Sequence, residues 1–204
     1  ELAGEAVPGA QGPRRIVQFW DSGSPPEDVA ALMATWPAAH PGWAHAVFDD
    51  QSAAAWRAAR GPPGAAEAFG RVREAAARAD LFRLAWLAAE GGVYADADDR
   101  CLRPLDEVLA GVRLLAYQEE YGTLGNNVLA AVPGHPAIVA ARDMAVAAVN
   151  RGDSDILWLR TGPGVLSRGF AQAFARGADL AGARVLERHA LRRFVAPHAP
   201  AGYK

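Results

Sequence analysis

Two rhythms of apolar and polar positions alternate along the first half of the chain. Arg15-Ile16-Val17-Gln18-Phe19-Trp20 is rich in β-formers and ends at the turn signal Asp21-Ser22-Gly23, so it predicts a strand. Ser24-Pro25-Pro26-Glu27 reads as a helix start: Ser24 as N-cap, Pro25 at the first helical position, Glu27 three residues on. That helix should run to about Trp36. Pro37 to Trp43 reads as a loop. Ala44 to Phe48 predicts a second strand ending at Asp49-Asp50, and a helix over about Ser52 to Arg60 is broken by Gly61-Pro62-Pro63-Gly64. The order β-α-β-α points to an α/β sheet, which binds ligands at the carboxyl ends of its strands. Trp20, Asp49 and Asp50 stand at such ends.

Ala65 to Ala79 predicts an Ala- and Arg-rich helix that Asp80 to Glu90 continues or restarts. Leu81, Phe82, Leu84, Ala85, Trp86, Leu87 and Ala88 wrap most of its circumference, so it is expected to be buried. Asp80 and Arg83, three apart, share one face, and charges on a buried helix need partners. Two readings stay open: a plain helix salt bridge, or a pair lining a pocket beneath Asp96. The run stops at Gly91-Gly92. A short β-type segment, Val93-Tyr94-Ala95, follows and ends in Asp96-Ala97-Asp98-Asp99. Alternation along an extended chain would aim Asp96 and Asp98 to one side and Asp99 to the other. Two hard oxygen ligands at a strand end suit Mg²⁺ or Mn²⁺ held together with a phosphate-bearing substrate.

The second half is less regular. Leu102 to Leu109 is a short irregular or helical piece, and Val112 to Glu119 a strand that leads to acids and aromatics on a loop, Tyr117 to Gly122. Asn126-Asn127 opens a strand over Val128 to Val132. Pro133-Gly134-His135-Pro136 is a turn, Ala137 to Val149 a helix and Asn150 to Ser154 a polar loop. Thr161 is a candidate cap for a helix that starts at Gly162-Pro163-Gly164 and runs to about Ala175. Arg184 to Glu187 and Arg193 to Val195 are late strands. The expected organisation is one domain over residues 15–195, with a loose leader over 1–14 and a Pro-rich trailing segment over 196–204.

Composition narrows the function classes. The 204 residues fit one domain with a real core, and about half are apolar and about a fifth charged. A net charge of -2 provides no field for nucleic acid or anionic lipid. No apolar run reaches transmembrane length. Cys101 is the sole cysteine, so no intrachain disulfide can form, and the cytosol is the default compartment. P-loop, G-x-G-x-x-G and G-x-S-x-G motifs are absent, and the histidines lack zinc spacing. An EF-hand fails: counting from Asp96, Arg100 falls at a ligand position and Cys101 where the turn glycine belongs. A phosphohydrolase of the haloacid dehalogenase type also sets D-x-D at a strand end. That class adds a lysine, and Lys204 is the only one here, so an arginine would have to substitute. Most of the six tryptophans read as core, and Trp20 is the exception: a strand-end indole can stack on a flat base.

These segments resemble a known family. Ala79-Asp80-Leu81-Phe82-Arg83, then Leu87, then Gly91-Gly92-Val93-Tyr94-Ala95-Asp96-Ala97-Asp98, is similar to the signature of DXD-containing sugar transferases of glycosyltransferase family 32. Yeast α-1,6-mannosyltransferases and bacterial capsule enzymes belong to it, and the large glucosylating toxins are structural relatives. Arg15 to Trp20 resembles the family's opening strand and Phe48-Asp49-Asp50 its second strand end. Asn127, Pro133-Gly134-His135-Pro136 and Thr161-Gly162-Pro163 also fit.

The resemblance implies a GT-A fold with a Rossmann-like mixed sheet, a divalent metal (Mn²⁺ or Mg²⁺), and transfer of a hexose with retention. The donor is a nucleotide sugar, a UDP-sugar first and GDP-mannose second. The acceptor hydroxyl could sit on a glycan, a lipid-linked sugar, a small molecule or a protein, with polysaccharide biosynthesis as one setting. By the same resemblance Trp20 stacks on the base, Asp80 and Arg83 hold the sugar, and Tyr94 and Asp96 contact the nucleotide. Asp98, with Asp96 beside it, ligates the metal, Asn127 lies near the donor sugar, and Asp50 joins the donor-binding set. Asp98, Arg83 and Asn127 form the implied catalytic group. Members often end in a His- and Trp-containing segment that closes over the donor, which the stretch up to Gly202-Tyr203-Lys204 does not match. Three alternatives remain: an inverting mechanism with Glu119 or Glu120 as base, a non-catalytic nucleotide-sugar or glycan-binding module, and the D-x-D phosphohydrolase.

Overall fold

A computed structural model describes residues 12–202 and, as backbone, Leu2–Ala3. Most of the leader expected over 1–14 thus lies outside the described residues. In chain order the elements are β1 (Leu2–Ala3), β2 (Arg15–Phe19), α1 (Glu27–Ala39), β3 (Ala44–Phe48), α2 (Asp50–Arg60), α3 (Ala65–Arg71), α4 (Ala75–Ala89) and β4 (Gly92–Ala95). There follow β5 (Arg100–Cys101), α5 (Asp106–Leu109), β6 (Leu114–Gln118), β7 (Leu124–Ala131), α6 (Pro136–Arg151) and α7 (Leu157–Arg160). The last are α8 (Pro163–Ala175), β8 (Ala183–Glu187), α9 (Arg188–Leu191) and β9 (Val195–Ala196).

Seven strands form one mixed sheet in the order β1-β8-β6-β7-β4-β2-β3. β2 runs parallel to both β3 and β4, and β7 runs antiparallel to β4 and β6. Strand periodicity sorts the interior into two cores. Val17, Tyr94, Leu129 and Ala131 face a core shared with α4, α6 and α8. Ile16, Val93, Ala95, Val128 and Ala130 face a second one with Trp36, Leu105 and Phe194. A sheet covered on both sides explains why its central strands read as nearly unbroken apolar runs.

α4 is buried around its circumference, as its pattern predicts. Phe82 lies at the middle of an aromatic group, with the rings of Phe48, Trp86 and Trp56 at 4.9, 5.9 and 6.0 Å. The helix expected over Ala65 to Ala79 is instead interrupted at Val72-Arg73-Glu74, where Val72 and Glu74 are extended, and Asp80 to Ala89 continues the second piece without a break. α1 differs at both ends. Its N-cap is Pro26, with no side-chain cap, and not Ser24. Pro25 precedes a proline, and that crowding keeps it out of the helical region, so no helix can begin there. At the other end α1 runs on through Pro37 to Ala39. α2 starts two residues earlier than expected, because Asp49 and Ser52 form a reciprocal capping box.

The segment expected to trail off from residue 196 is held in place through Gly202. β9 pairs with β5, Phe194 and Val195 are buried, Ala199 N–H donates to the Asp98 carbonyl at 2.8 Å, and Gly202 N–H to the Asp28 carboxylate.

Two stability tests follow from the glycine and histidine turns. Gly91 has φ +66°, and a Cβ there would stand 2.6 Å from Pro133 Cδ and 2.8 Å from the Ala131 carbonyl oxygen. Gly91→Ala should therefore cost about 2–4 kcal/mol in urea unfolding. His135 caps α6, its Nδ1 accepting from Ala137 N–H. Burial, aided by nearby Arg113, holds its pKa down to about 4. The neutral form is the folded one, so its contribution is full above the unfolded pKa of about 6.5 and is lost as pH falls toward about 4. His135→Asn keeps a capping acceptor without a titration, and should shrink the stability difference between pH 7 and pH 4.5 by roughly 1–3 kcal/mol.

Candidate active site

The site is built where β4 leaves the sheet. Asp96 N–H makes the last rung to the Asn127 carbonyl at 2.8 Å, and Asp99 N–H then turns back to the Asp96 carbonyl at 3.1 Å. The four residues Asp96 to Asp99 thus form a tight turn and not an extended tip. Strand alternation does not carry through it, and Asp99 comes round to the side of Asp98. Asp96 and Asp98 do share a cleft, of about 480 Å³, with Trp20, Arg83, Tyr94 and His198. That volume is in the range of small-molecule sites. Small side chains at the start of α4, Ala75, Ala76 and Ala79, also line it.

Arg83 forms the floor. Its guanidinium donates to the Asn126 carbonyl at 2.6 Å and to Asp96 Oδ1 at 2.9 Å, lies 3.3 Å from Asp80 Oδ1, and stacks 4.4 Å from the centre of the Tyr94 ring. Tyr94 Oη donates to the same Asp96 oxygen at 3.0 Å. Burial disfavours the Arg83 charge, but the surrounding acids, Asp96 foremost, outweigh it and its pKa stands above the ordinary value. The Asp80–Arg83 pair is a helix salt bridge, and of the two only Arg83 is in the cleft wall. Asp80 is only 4% exposed and its oxygens are taken within the protein. Oδ1 accepts from Asn126 Nδ2 at 2.8 Å and Oδ2 from Thr161 Oγ1 at 2.9 Å. Thr161, expected as a helix cap, is thus a partner of Asp80, and α8 is capped by Gly162 without a side-chain bond. Burial raises the Asp80 pKa against the pull of Arg83.

The acids crowd one another. Burial raises the Asp96 pKa, with Arg83 opposing and Asp98 adding to the rise. Asp99 is pushed up to about 7 by burial and by Asp96, although it accepts from His198 N–H at 2.8 Å and from Asn127 Nδ2 at 2.6 Å. His198 Nδ1 stands 3.6 Å from Asp98 Oδ2, and that carboxylate raises the imidazole pKa. One ligand atom each from Asp98, Asp99 and His198 lies within 4.8 Å of the others. Two carboxylates and an imidazole are a donor set that suits Mn²⁺, and Mg²⁺ less well because of the nitrogen. The spacing argument named Asp96 and Asp98. In the structure Asp96 Oδ1 is committed to Arg83 and Tyr94, while Asp98 gathers with Asp99 and His198.

The remaining candidates divide. Trp20 is in the cleft wall, its Nε1 donating to Ser22 Oγ at 3.0 Å. Asp50 is outside that wall and accepts from Arg78 Nε at 2.8 Å. Asn127 is buried with its amide used by Tyr117 Oη and Asp99, so it fixes Asp99 and does not face the cleft; its neighbour Asn126 reaches Asp80. His198 escaped sequence reading altogether. Its only local signal is a histidine between prolines, Pro197-His198-Ala199-Pro200, in a stretch that looks like a tail.

The chain is similar to known sugar transferases in sequence and in fold. Residues 26–115 match the sequence model of a family described as "Glycosyltransferase sugar-binding region containing DXD motif". A 64-residue stretch is 42% identical to mannosyl phosphorylinositol ceramide synthase SUR1 of Saccharomyces cerevisiae, covering 31% of this chain and 16% of that relative's length. Among solved structures, the PaToxG glycosyltransferase superposes with a TM-score of 0.67 at 16% identity, over 81% of this chain and 71% of that one. The UDP-bound glycosyltransferase domain of the YGT toxin does so with 0.61 at 10% identity, over 93% and 81%. Its ligand-free form gives 0.60 at 11% identity, over 93% and 82%. Residues 26–115 thus match the DXD-containing sugar-binding region of glycosyltransferases, and the fold is of the GT-A type.

Proposed function

We propose that the chain transfers a hexose from a nucleoside-diphosphate sugar to a hydroxyl acceptor, with a divalent metal and with retention of anomeric configuration. The observation that carries this reading is one cleft whose wall holds both an indole, Trp20, and members of a carboxylate–imidazole cluster, Asp98 and His198, at the carboxyl ends of β2 and β4. A flat base and a charged diphosphate need those two chemistries in one site. The UDP-bound toxin domain favours UDP as the nucleotide, and the yeast relative leaves a mannosyl donor as second choice.

In this reading Trp20 stacks on the base against the alanine wall of α4. Asp98, Asp99 and His198 would hold the metal, and Asn127 fixes Asp99 for that task. A divalent ion held there would supply Lewis-acid charge to the diphosphate leaving group. Arg83, locked by Asp80, Asp96 and the Asn126 carbonyl, presents fixed positive charge to the donor at no reorganisation cost. The bond from the anomeric carbon to the diphosphate breaks with its electron pair on the phosphate. The acceptor oxygen bonds to that carbon from the same face, and its proton goes to the departing phosphate oxygen. No protein nucleophile is needed for this course. Asp50 acts from outside the cleft, through Arg78 and its neighbour Asp21. Residues 15–202 make up the transferase domain.

Asp98→Asn should lower Mn²⁺-dependent hydrolysis of UDP-glucose or GDP-mannose by about a hundredfold or more. Full activity in that variant would end the proposal, and phosphate release from simple phosphomonoesters would favour a phosphohydrolase. Trp20→Ala should weaken nucleotide binding roughly tenfold or more by calorimetry, with Mn²⁺ affinity unchanged. His198→Ala should do the reverse, with Mn²⁺ affinity down about tenfold or more.

A further inference from the structure

A second cavity adjoins the first across His198. It holds about 280 Å³ and is walled by Glu119, Glu120, Tyr121, Trp158, Arg188 and the same His198. Four separate segments supply it: the β6–β7 hairpin loop, α7, the start of α9 and the segment after β9. The hairpin loop is tied by Glu119 N–H to the Thr123 carbonyl at 2.7 Å and holds Tyr121 at its tip, 91% exposed. Trp158 is exposed too, and its ring is backed by Gly164, where a Cβ would come within 3.0 Å of it. Neither aromatic is used by the donor cleft.

We infer that this cavity is the acceptor subsite, and that it takes an uncharged polyhydroxylated ring, a neutral saccharide. The inference rests on the proposed function, since it names the second substrate of the same site. Three observations carry it. The cavity shares His198 with the donor cleft, so a hydroxyl bound in it lies next to the metal cluster. Two exposed aromatic rings offer flat apolar faces, and the C–H face of a sugar ring packs on such surfaces. The charged groups fit hydroxyls and not phosphates. Of the two basic side chains in the wall, Arg188 is paired with Glu120 at 3.2 Å and the His198 imidazole stands 3.6 Å from Asp98. Glu119 accepts from Thr123 Oγ1 at 2.8 Å and adds a second acid. A phosphorylated acceptor would meet two carboxylates with both basic groups already engaged, whereas sugar hydroxyls donate to carboxylates readily.

Saturation-transfer NMR without donor tests binding directly. The probes are methyl glucoside, methyl mannoside and methyl galactoside, with mannose 6-phosphate as the charged control. At least one methyl glycoside should give a signal that mannose 6-phosphate does not. Tyr121→Ala, at an exposed loop tip, should weaken it roughly tenfold. Glu120→Gln removes one acid and releases Arg188, and should raise the response to mannose 6-phosphate. Calorimetry of UDP- and GDP-sugars with Mn²⁺ on the same proteins should show donor binding unchanged in both variants. No signal from the neutral panel, an equal signal in Tyr121→Ala, or preference of the wild type for the phosphorylated sugar overturns the inference while leaving the donor reading intact. Saccharide signals without any donor binding overturn the proposed function instead.

Discussion

A cation inside a protein is costly without partners, and Arg83 is answered directly by three elements. Its own helix α4 supplies Asp80, the end of β4 supplies Asp96 and the Tyr94 ring, β7 supplies the Asn126 carbonyl, and Thr161 before α8 holds the outer oxygen of Asp80. Burial of an unpaired guanidinium would cost several kcal/mol or more, so none of these groups can drift without penalty to the rest. The walls of the cleft are thereby fixed by charge as much as by packing.

The sheet decides which residues meet there. β7 is antiparallel to β4, so the beginning of β7 lies beside the end of β4, with Val128 opposite Ala95. That geometry delivers Asn126 and Asn127 to the Asp96–Asp99 turn from about thirty residues further along the chain. Their neighbouring positions send side chains to opposite faces, one amide to Asp80 and the other to Asp99. The same alternation produces the two cores, so one periodicity both stabilises the sheet and distributes the polar groups at its edge.

Much of this was legible in the residues. β3 falls where its apolar run predicts, β2 stops one residue short of the expected end, and α4 is buried because its apolar residues leave no polar face. The chemistry around Gly91 to Asp98 was visible as two acids after a strand. What escaped depended on atoms distant in sequence. Alternation could not say that Asp96 turns back on itself, since a hydrogen bond from Asp99 decides that. The break between α3 and α4 is marked by no proline, and its one glycine, Gly70, lies inside the last turn of α3. Pro25-Pro26 misled because two prolines in a row cancel the helix-start signal of each alone. His198 was invisible because a Pro-rich stretch near residue 200 has no local reason to be ordered. Its order comes from β5, Asp98 and Asp99.

The hydrogen bond that joins His198 to Asp99 links positions 99 apart. A contact of such span closes a long loop, and closure of that kind carries a high entropic cost. The turn after β4 holds two members of the Asp98–Asp99–His198 group, and the third comes from the segment after β9. A chain cut before β9 would therefore keep both carboxylates and lose the imidazole beside them.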